Sequence, residues 1–188
     1  MTGGTDVDAL NGGSGADVLS GGGGRDVLKG GTGDDVLNGG DDKDKLYGGS
    51  GDDQINGDGG SDYINASSGH DVIHAGAGKD KILMGAGADA ASGGSDSDWF
   101  VFNSRDLDGH GNTIYDFVHG GGEADRLDFR GLSLVSEQQD IDSWITHHVL
   151  QQSGSVQISF ASFELTLVDH QSLGAAFYDQ VRDGIELM

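Results

Sequence analysis

This chain has no cysteine, which excludes disulfides and thiolate-held soft metals. Basic residues are scarce: ten Lys and Arg stand against 32 Asp and Glu, for a formal net charge of −22. That balance argues against nucleic acid or an anionic membrane surface as a general partner. No apolar run approaches the roughly eighteen residues of a membrane-spanning helix. Met1 and Thr2 lead directly into a repeat, so no N-terminal signal peptide is expected. Neither H-E-x-x-H nor G-x-S-x-G occurs, so zinc-protease and lipase-type chemistry find no support and no catalytic residue is expected.

What is present is a nine-residue repeat, G-G-x-G-x-D-x-(Leu/Ile)-x, running from Gly3 to Val101 in eleven copies without insertion. The sixth place is always aspartate: Asp8, Asp17, Asp26, Asp35, Asp44, Asp53, Asp62, Asp71, Asp80, Asp89 and Asp98. The eighth is Leu10, Leu19, Leu28, Leu37, Leu46, Ile55, Ile64, Ile73, Ile82, then Ala91 and Phe100. A disordered Gly-rich linker would not keep that register, and a fixed period of this kind signals a solenoid.

Glycine at the first, second and fourth places allows positive φ and close backbone approach. The x-Leu-x triplet that follows suits a short strand with one inward and two outward side chains. Two copies then form one coil, and copy n lies beside copy n+2. Stacked strands sit ~4.8 Å apart. Carboxylates at that spacing repel by roughly 3–4 kcal/mol at an effective dielectric near 20, so the stack calls for a cation. Carboxylates and carbonyls are hard oxygens in an irregular cage, which suits calcium better than magnesium or soft metals. Without the ion this composition should not fold. Its 36 Gly raise the entropy cost, the rows of Leu and Ile give a thin core, and folding is expected to be linked to the metal.

After Trp99 the glycine period stops. Trp99–Phe102, Thr113–Phe117 and Arg126–Phe129 read as strands, Asp106–Gly111 as a turn, and Gly120–Gly122 as a loop. Asp140–Gln152 has apolar Ile141, Trp144, Ile145 and Val149 at near-helical spacing and is expected to be a short helix. Val156–Phe160 and Glu164–Val168 read as a hairpin pair, Ser172–Val181 as a second short helix, and Asp183–Met188 as a loose tail. Solenoids need caps, so 102–188 is expected to close the last coil.

The nonapeptide resembles the calcium-binding repeat of RTX proteins. The resemblance continues past it: D-x-F-V-F, G-N-T-I-x-D-F and D-R-L-D-F-x-G-L (Asp98 to Leu132) are similar to the segment after the repeats in type I secretion substrates. These include serralysin-type proteases, RTX lipases, RTX adhesins and alginate epimerase modules. G-S-V-Q-I-S-F and F-E-L-T-L-V-D-H-Q-S-L resemble the C-terminal part of such substrates. The resemblance implies an all-β fold, a right-handed parallel β-roll over 3–101 with a mostly β cap containing one or two short helices over 102–188. It implies several calcium ions held by the eleven aspartates. It also implies ligation by the carbonyls of Gly13, Gly15, Gly22, Gly24, Gly31, Gly33, Gly40, Asp42, Gly49, Gly51, Gly60 and Gly69. Departures are Asp58, Ala66–Ser67, Ala75 and Met84 for first- or second-place glycines, and Asp6, Asp42 and Asp96 for fourth-place ones. The N-terminal and central sites should therefore be the best formed.

Two surface features remain. His147-His148 are adjacent, and neighbours on a helix point apart, so they make a poor metal site. All six Lys and Arg of the repeats fall in odd copies: Arg25, Lys29, Lys43, Lys45, Lys79 and Lys81. The outward seventh place there reads Val27, Lys45, Tyr63, Lys81, Trp99, against Val18, Val36, Gln54, Val72, Ala90 in even copies. Lys45, Tyr63 and Lys81 are a candidate strip for an acidic polysaccharide. The lysines would equally serve to offset nearby aspartates, or the face to meet the C-terminal half. Two functions are carried forward. One is a calcium-binding C-terminal region of a larger secreted, extracellular bacterial protein, with type I secretion machinery as partner. The other is a polysaccharide-binding module of an extracellular enzyme.

Overall fold

The coil expected from the repeat is the coil observed in the computed structural model, which describes residues 1–106, 108–117, 125–131, 149–152, 155–160 and 163–168. A first strand β1 (Thr2–Gly4) is followed by eleven at nine-residue spacing. They are β2 (Ala9–Ser14), β3 (Val18–Gly23), β4 (Val27–Thr32), β5 (Val36–Asp41), β6 (Lys45–Ser50), β7 (Gln54–Asp58), β8 (Tyr63–Ser68), β9 (Val72–Ala77), β10 (Lys81–Ala86), β11 (Ala90–Ser95) and β12 (Trp99–Asn103). Each pairs in parallel with the strand two further on, with Leu10 opposite Leu28, Leu28 opposite Leu46 and Leu46 opposite Ile64. Odd copies thus build one sheet and even copies the other, and over the repeats the chain is an all-β parallel solenoid.

Most strands are six residues long, not the expected triplet. The ladder runs on through the first three places of the next copy, where Gly13 faces Gly31 and Ser14 faces Thr32. Positive φ falls at the second and fourth places, and the first-place glycines do not need it. Where glycine is missing the backbone keeps its path: Asp42, Asp58, Ser67 and Asp96 hold φ of 74°, 68°, 82° and 76°. Short polar side chains tolerate that left-handed region better than others.

The core is two facing rows of eighth-place side chains. Leu28, Leu46, Ile64, Ile82 and Phe100 line one sheet and Leu19, Leu37, Ile55, Ile73 and Ala91 the other, all buried. Leu10, in the first copy, is only half-buried.

Both sheets continue past Val101. A 3-10 turn (Ser104–Asp106) and bends at Asp108–Gly109 lead to β13 (Gly111–Ile114) beside β11, and β14 (Arg126–Gly131) lies beside β12. Ile114 thereby extends the even row and Leu127 the odd one, while Phe117 packs on Phe100 with ring centroids 6.3 Å apart. The expected strand 113–117 therefore starts and ends earlier.

The hairpin is present as β16 (Ser155–Phe160) and β17 (Phe163–Val168), and β17 joins β13 in parallel. The expected helix 140–152 is corrected at its end. Residues Val149–Gln152 form strand β15, antiparallel to β16 with Val149 opposite Ile158. A short apolar run is ambiguous between the two periods, and the neighbouring strand edge decides it. The rest of that span, the helix expected at 172–181, Gly120–Gly122, His147-His148 and the tail lie outside the described residues.

Candidate metal centre

Every coil presents its sixth-place aspartate to the coil before it. The backbone N–H of Asp8 donates to Oδ1 of Asp26, and the pattern repeats from residue to residue until Asp80 donates to Asp98, at 2.7–2.9 Å throughout. The sixth-place carbonyl is taken as well: the N–H of Lys45 donates to the Asp26 carbonyl at 2.9 Å. One oxygen of each sixth-place carboxylate from Asp26 to Asp98 is thus satisfied by backbone. The other is not: Oδ2 of Asp17, Asp26, Asp35, Asp44, Asp53, Asp62, Asp71, Asp80, Asp89 and Asp98 is buried with no hydrogen-bond partner. An ionised oxygen buried that way costs ~1–3 kcal/mol or more unless something positive meets it.

The first-place glycine leaves the space that such a partner needs. A Cβ on Gly21 would stand 2.3 Å from Asp26 Oδ2 and 2.6 Å from the Gly39 carbonyl oxygen. On Gly48 it would stand 2.4 Å from Asp53 Oδ2 and 2.8 Å from the Ala66 carbonyl. Second- and fourth-place carbonyls form columns of their own. A side chain on Gly31 would meet the Gly13 oxygen at 2.1 Å, and one on Gly51 the Gly33 oxygen at 2.4 Å. Besides the ladder bonds, the Gly40 carbonyl accepts from the Gly59 N–H and the Gly49 carbonyl from the Ser68 hydroxyl, and a carbonyl oxygen has a second lone pair. The donor set is carboxylate and carbonyl oxygen only, and it fits calcium.

Burial acts on seven of these carboxyls in the same direction. Asp44, Asp53 and Asp80 are pushed up from 3.8 to about 6, Asp62 and Asp89 to about 7, and Asp71 and Asp98 to about 8. Desolvation is the largest cause. The N–H bond from the preceding coil pulls the other way, and neighbouring carboxylates, such as Asp26 beside Asp44, add to the rise. A bound calcium ion would supply the positive charge that keeps the two files ionised at neutral pH.

The first-place departures from the repeat leave the hydrogen-bonded file unbroken but put a Cβ where the other copies leave room for a cation. Ala66, Ala75 and Met84 replace first-place glycines and are fully buried, and Oδ2 of Asp71, Asp80 and Asp89 still lacks a partner beside them. At the N-terminal end Asp8 and Asp17 are half-buried, in the coils nearest solvent.

The C-terminal segment contributes residues that the period does not reveal. In mid-roll a fourth-place N–H donates to the third-place carbonyl two copies on, as Gly69 does to Ala86. The last coil has no such neighbour, and carboxylates take its place. Asp106, fully buried, accepts from Gly85 at 3.2 Å and from Asn103 at 2.6 Å, and Asp108 accepts from Gly87 at 2.6 Å. Asp116 accepts from Gly93 and Gly94 with its two oxygens. Of the turn expected over Asp106–Gly111, Asp106 closes the 3-10 turn, Asp108 and Gly109 are bends and Gly111 begins β13, and the carboxylates of Asp106 and Asp108 seal backbone donors. Sixth-place stand-ins follow: Asp89 donates to Oδ1 of Asn112 and Asp98 to Oδ1 of Asp125, both at 2.9 Å.

The odd-side strip is in one register, with Val27 opposite Lys45, Lys45 opposite Tyr63, Lys81 opposite both Tyr63 and Trp99, and Trp99 opposite Arg126. Arg126 lies over the Trp99 ring at 5.5 Å and Lys29 Nζ over Tyr47 at 6.0 Å, while Tyr47 and Tyr63 are 5.8 Å apart. Val27, Lys29, Lys45 and Tyr47 line part of a shallow groove there. Tyr47 belongs to the ninth-place row and Arg126 to the cap, so neither is visible in the seventh-place pattern. Lys43, in the fifth place, lowers the carboxyls of Asp62 and Asp80 and so offsets nearby aspartates.

A family profile described as the RTX calcium-binding nonapeptide repeat matches this chain four times, over residues 2–37, 20–55, 29–64 and 56–91. No curated protein matches. Among solved structures, the chain is similar to the AlgE6R3 subunit of the mannuronan C5-epimerase of Azotobacter vinelandii. Identity is 25%, coverage is 78% of this chain and 79% of that one, and the TM-score is 0.36. Among the described residues no helix is long and apolar enough to cross a membrane.

Proposed function

This chain belongs, over residues 2–91, to the RTX calcium-binding nonapeptide repeats, and from that premise we propose that it is the C-terminal calcium-binding and secretion region of a larger secreted bacterial protein. The buried, unpartnered Oδ2 file supports this reading most directly, because the roll has a use for a cation at every coil. Affinities of order 10⁻⁴–10⁻³ M, usual for extracellular modules, would leave the chain unfolded in a calcium-poor cytosol and folded outside. A thin, glycine-rich, strongly acidic chain without cysteine suits passage through a type I exporter in the unfolded state. Folding on the far side then opposes backsliding. A secretion signal within 102–188 is what the likeness to such substrates would lead one to expect. A passenger fused to the full chain should be exported and one fused to a chain truncated after Phe102 should not. Normal export of the truncated fusion contradicts the assignment.

A second reading rests on the odd-side strip. Lys45, Tyr63 and Lys81 stand in one register, one coil apart, with Trp99 and Arg126 continuing the line. Rows ~4.8 Å apart are close to the length of a uronate unit. An acidic polysaccharide lying along the roll axis would pair with the lysines and stack on the rings. Each exposed pair adds at most about 1 kcal/mol, so binding must grow with chain length and fall with salt. Calorimetry of wild type and Lys45→Glu/Lys81→Glu against long polyuronate in constant calcium tests it. Equal binding by both, or none by either, rejects the strip.

A further inference from the structure

The two files of sixth-place residues end differently. Beyond the last even copy stands Asn112, and beyond the last odd copy stands Asp125. Both hold the sixth place by two independent hydrogen bonds, although insertions separate them from their partners by 23 and 27 residues instead of 18. The side-chain Oδ1 receives the N–H of the preceding sixth-place aspartate, and the next residue, Thr113 or Arg126, donates its N–H to that aspartate's carbonyl at 2.8 and 2.7 Å. The backbone thus continues the repeat where the sequence does not, and the chemistry at the second side-chain atom differs. Asn112 turns a buried amide nitrogen, without a hydrogen-bond partner, to the position that Oδ2 occupies elsewhere. An N–H₂ group is a donor and repels a cation. Asp125 is buried and brings a carboxylate.

We propose that the odd-side file of calcium sites runs one step beyond the nonapeptides, with Asp98 and Asp125 as the charged ligands of a terminal ion, and that Asn112 closes the even-side file. The proposal rests on the calcium reading of the repeats and goes beyond it, since Asp125 lies outside every matched repeat. A second observation points to an ion here. Asp98 is fully buried, and its Oδ2 has no hydrogen-bond partner, as in the nine aspartates before it. The first-place residue of its copy is Gly93, where a Cβ would stand 2.3 Å from that oxygen. An ion at this point joins the last repeat to the segment that covers it. Calcium would then fix the cap to the roll as well as coil to coil, and the cap would order only when the roll has filled.

The substitutions that test this are reciprocal and nearly isosteric. Asp125→Asn keeps the Oδ1 acceptor for the Asp98 N–H and reproduces the even-side ending on the odd side. Asn112→Asp does the reverse. Bound calcium is counted by equilibrium dialysis of the full chain at saturating calcium, with circular dichroism confirming the fold. Asp125→Asn should bind one ion fewer than wild type and Asn112→Asp one more. A wild-type count in Asp125→Asn overturns the terminal site, and should that variant not fold, a wild-type count in Asn112→Asp does so. A wild type that binds no calcium rejects the reading of the repeats themselves, an outcome distinct from either.

Discussion

The backbone N–H of Asp26 donates to Oδ1 of Asp44 at 2.7 Å, while Oδ2 of both residues is buried without a hydrogen bond. Each such aspartate is therefore hydrogen-bonded at one oxygen by a neighbouring coil and unsatisfied at the other. Two species satisfy a buried carboxylate oxygen at low cost, a proton and a metal ion. Which one occupies the file depends on pH and on calcium.

Protons and calcium should compete for the roll. The folded-state carboxyls from Asp44 to Asp98 in the sixth-place files lie above the unfolded value of 3.8, at about 6 for Asp44 and about 8 for Asp71 and Asp98. In chelator the folded chain binds more protons than the unfolded one, so its stability falls as pH rises from about 4 to about 8. Below about 4 both states are protonated and the dependence vanishes. Circular dichroism in EDTA should show more sheet at about pH 5 than at about pH 8, and the calcium midpoint should rise as pH falls. A chelated chain more ordered at the higher pH refutes the burial argument.

The position of an aspartate should set the cost of losing it. Asp44→Ala removes the acceptor of the Asp26 N–H and a carboxylate whose copy begins with Gly39. Asp89→Ala acts in a copy that begins with Met84, whose side chain is fully buried in that place. The calcium midpoint should rise on the order of tenfold for Asp44→Ala, about 1.4 kcal/mol, and less for Asp89→Ala. Equal or reversed shifts show that the substituted copies bind as well as the regular ones.

The cap carboxylates should differ by burial. Asp106→Ala removes a fully buried acceptor, stranding the N–H of buried Gly85 and freeing that of half-buried Asn103, a loss of about 1–3 kcal/mol. Asp108 is exposed although Gly87 is buried, so in Asp108→Ala water can enter where the carboxylate stood and meet the Gly87 N–H. Thermal unfolding in saturating calcium should show a clear drop in Tm for the first variant and a small one for the second. Equal drops contradict the assignment of Asp106 as the buried seal.

The parts of this fold that obey the period were legible in the sequence. Eighteen-residue pairing, the rows from Leu19 and Leu28 onward, and the contact of Asp26 with Asp44 all follow from copy n lying beside copy n+2. Strand length was less legible, because Gly-Gly reads as turn while its N–H and carbonyl groups still join the ladder. The closing residues were not legible at all. Asp106, Asp116, Asn112 and Asp125 act across separations of 21 to 27 residues that no repeat fixes. Val149–Gln152 was misread because its apolar spacing fits a helix, whereas its hydrogen-bonding partner, Ser155–Phe160, fixes it as a strand.

Metal-linked folding is the central claim, and a calcium titration of the full chain followed by far-ultraviolet circular dichroism tests it most directly. In excess EDTA at neutral pH the spectrum should be that of a largely unordered chain. Added calcium should convert it cooperatively to a β-sheet spectrum, with a midpoint on the order of 10⁻⁴–10⁻³ M. A well-formed sheet in EDTA at neutral pH, unchanged by calcium, would contradict the account.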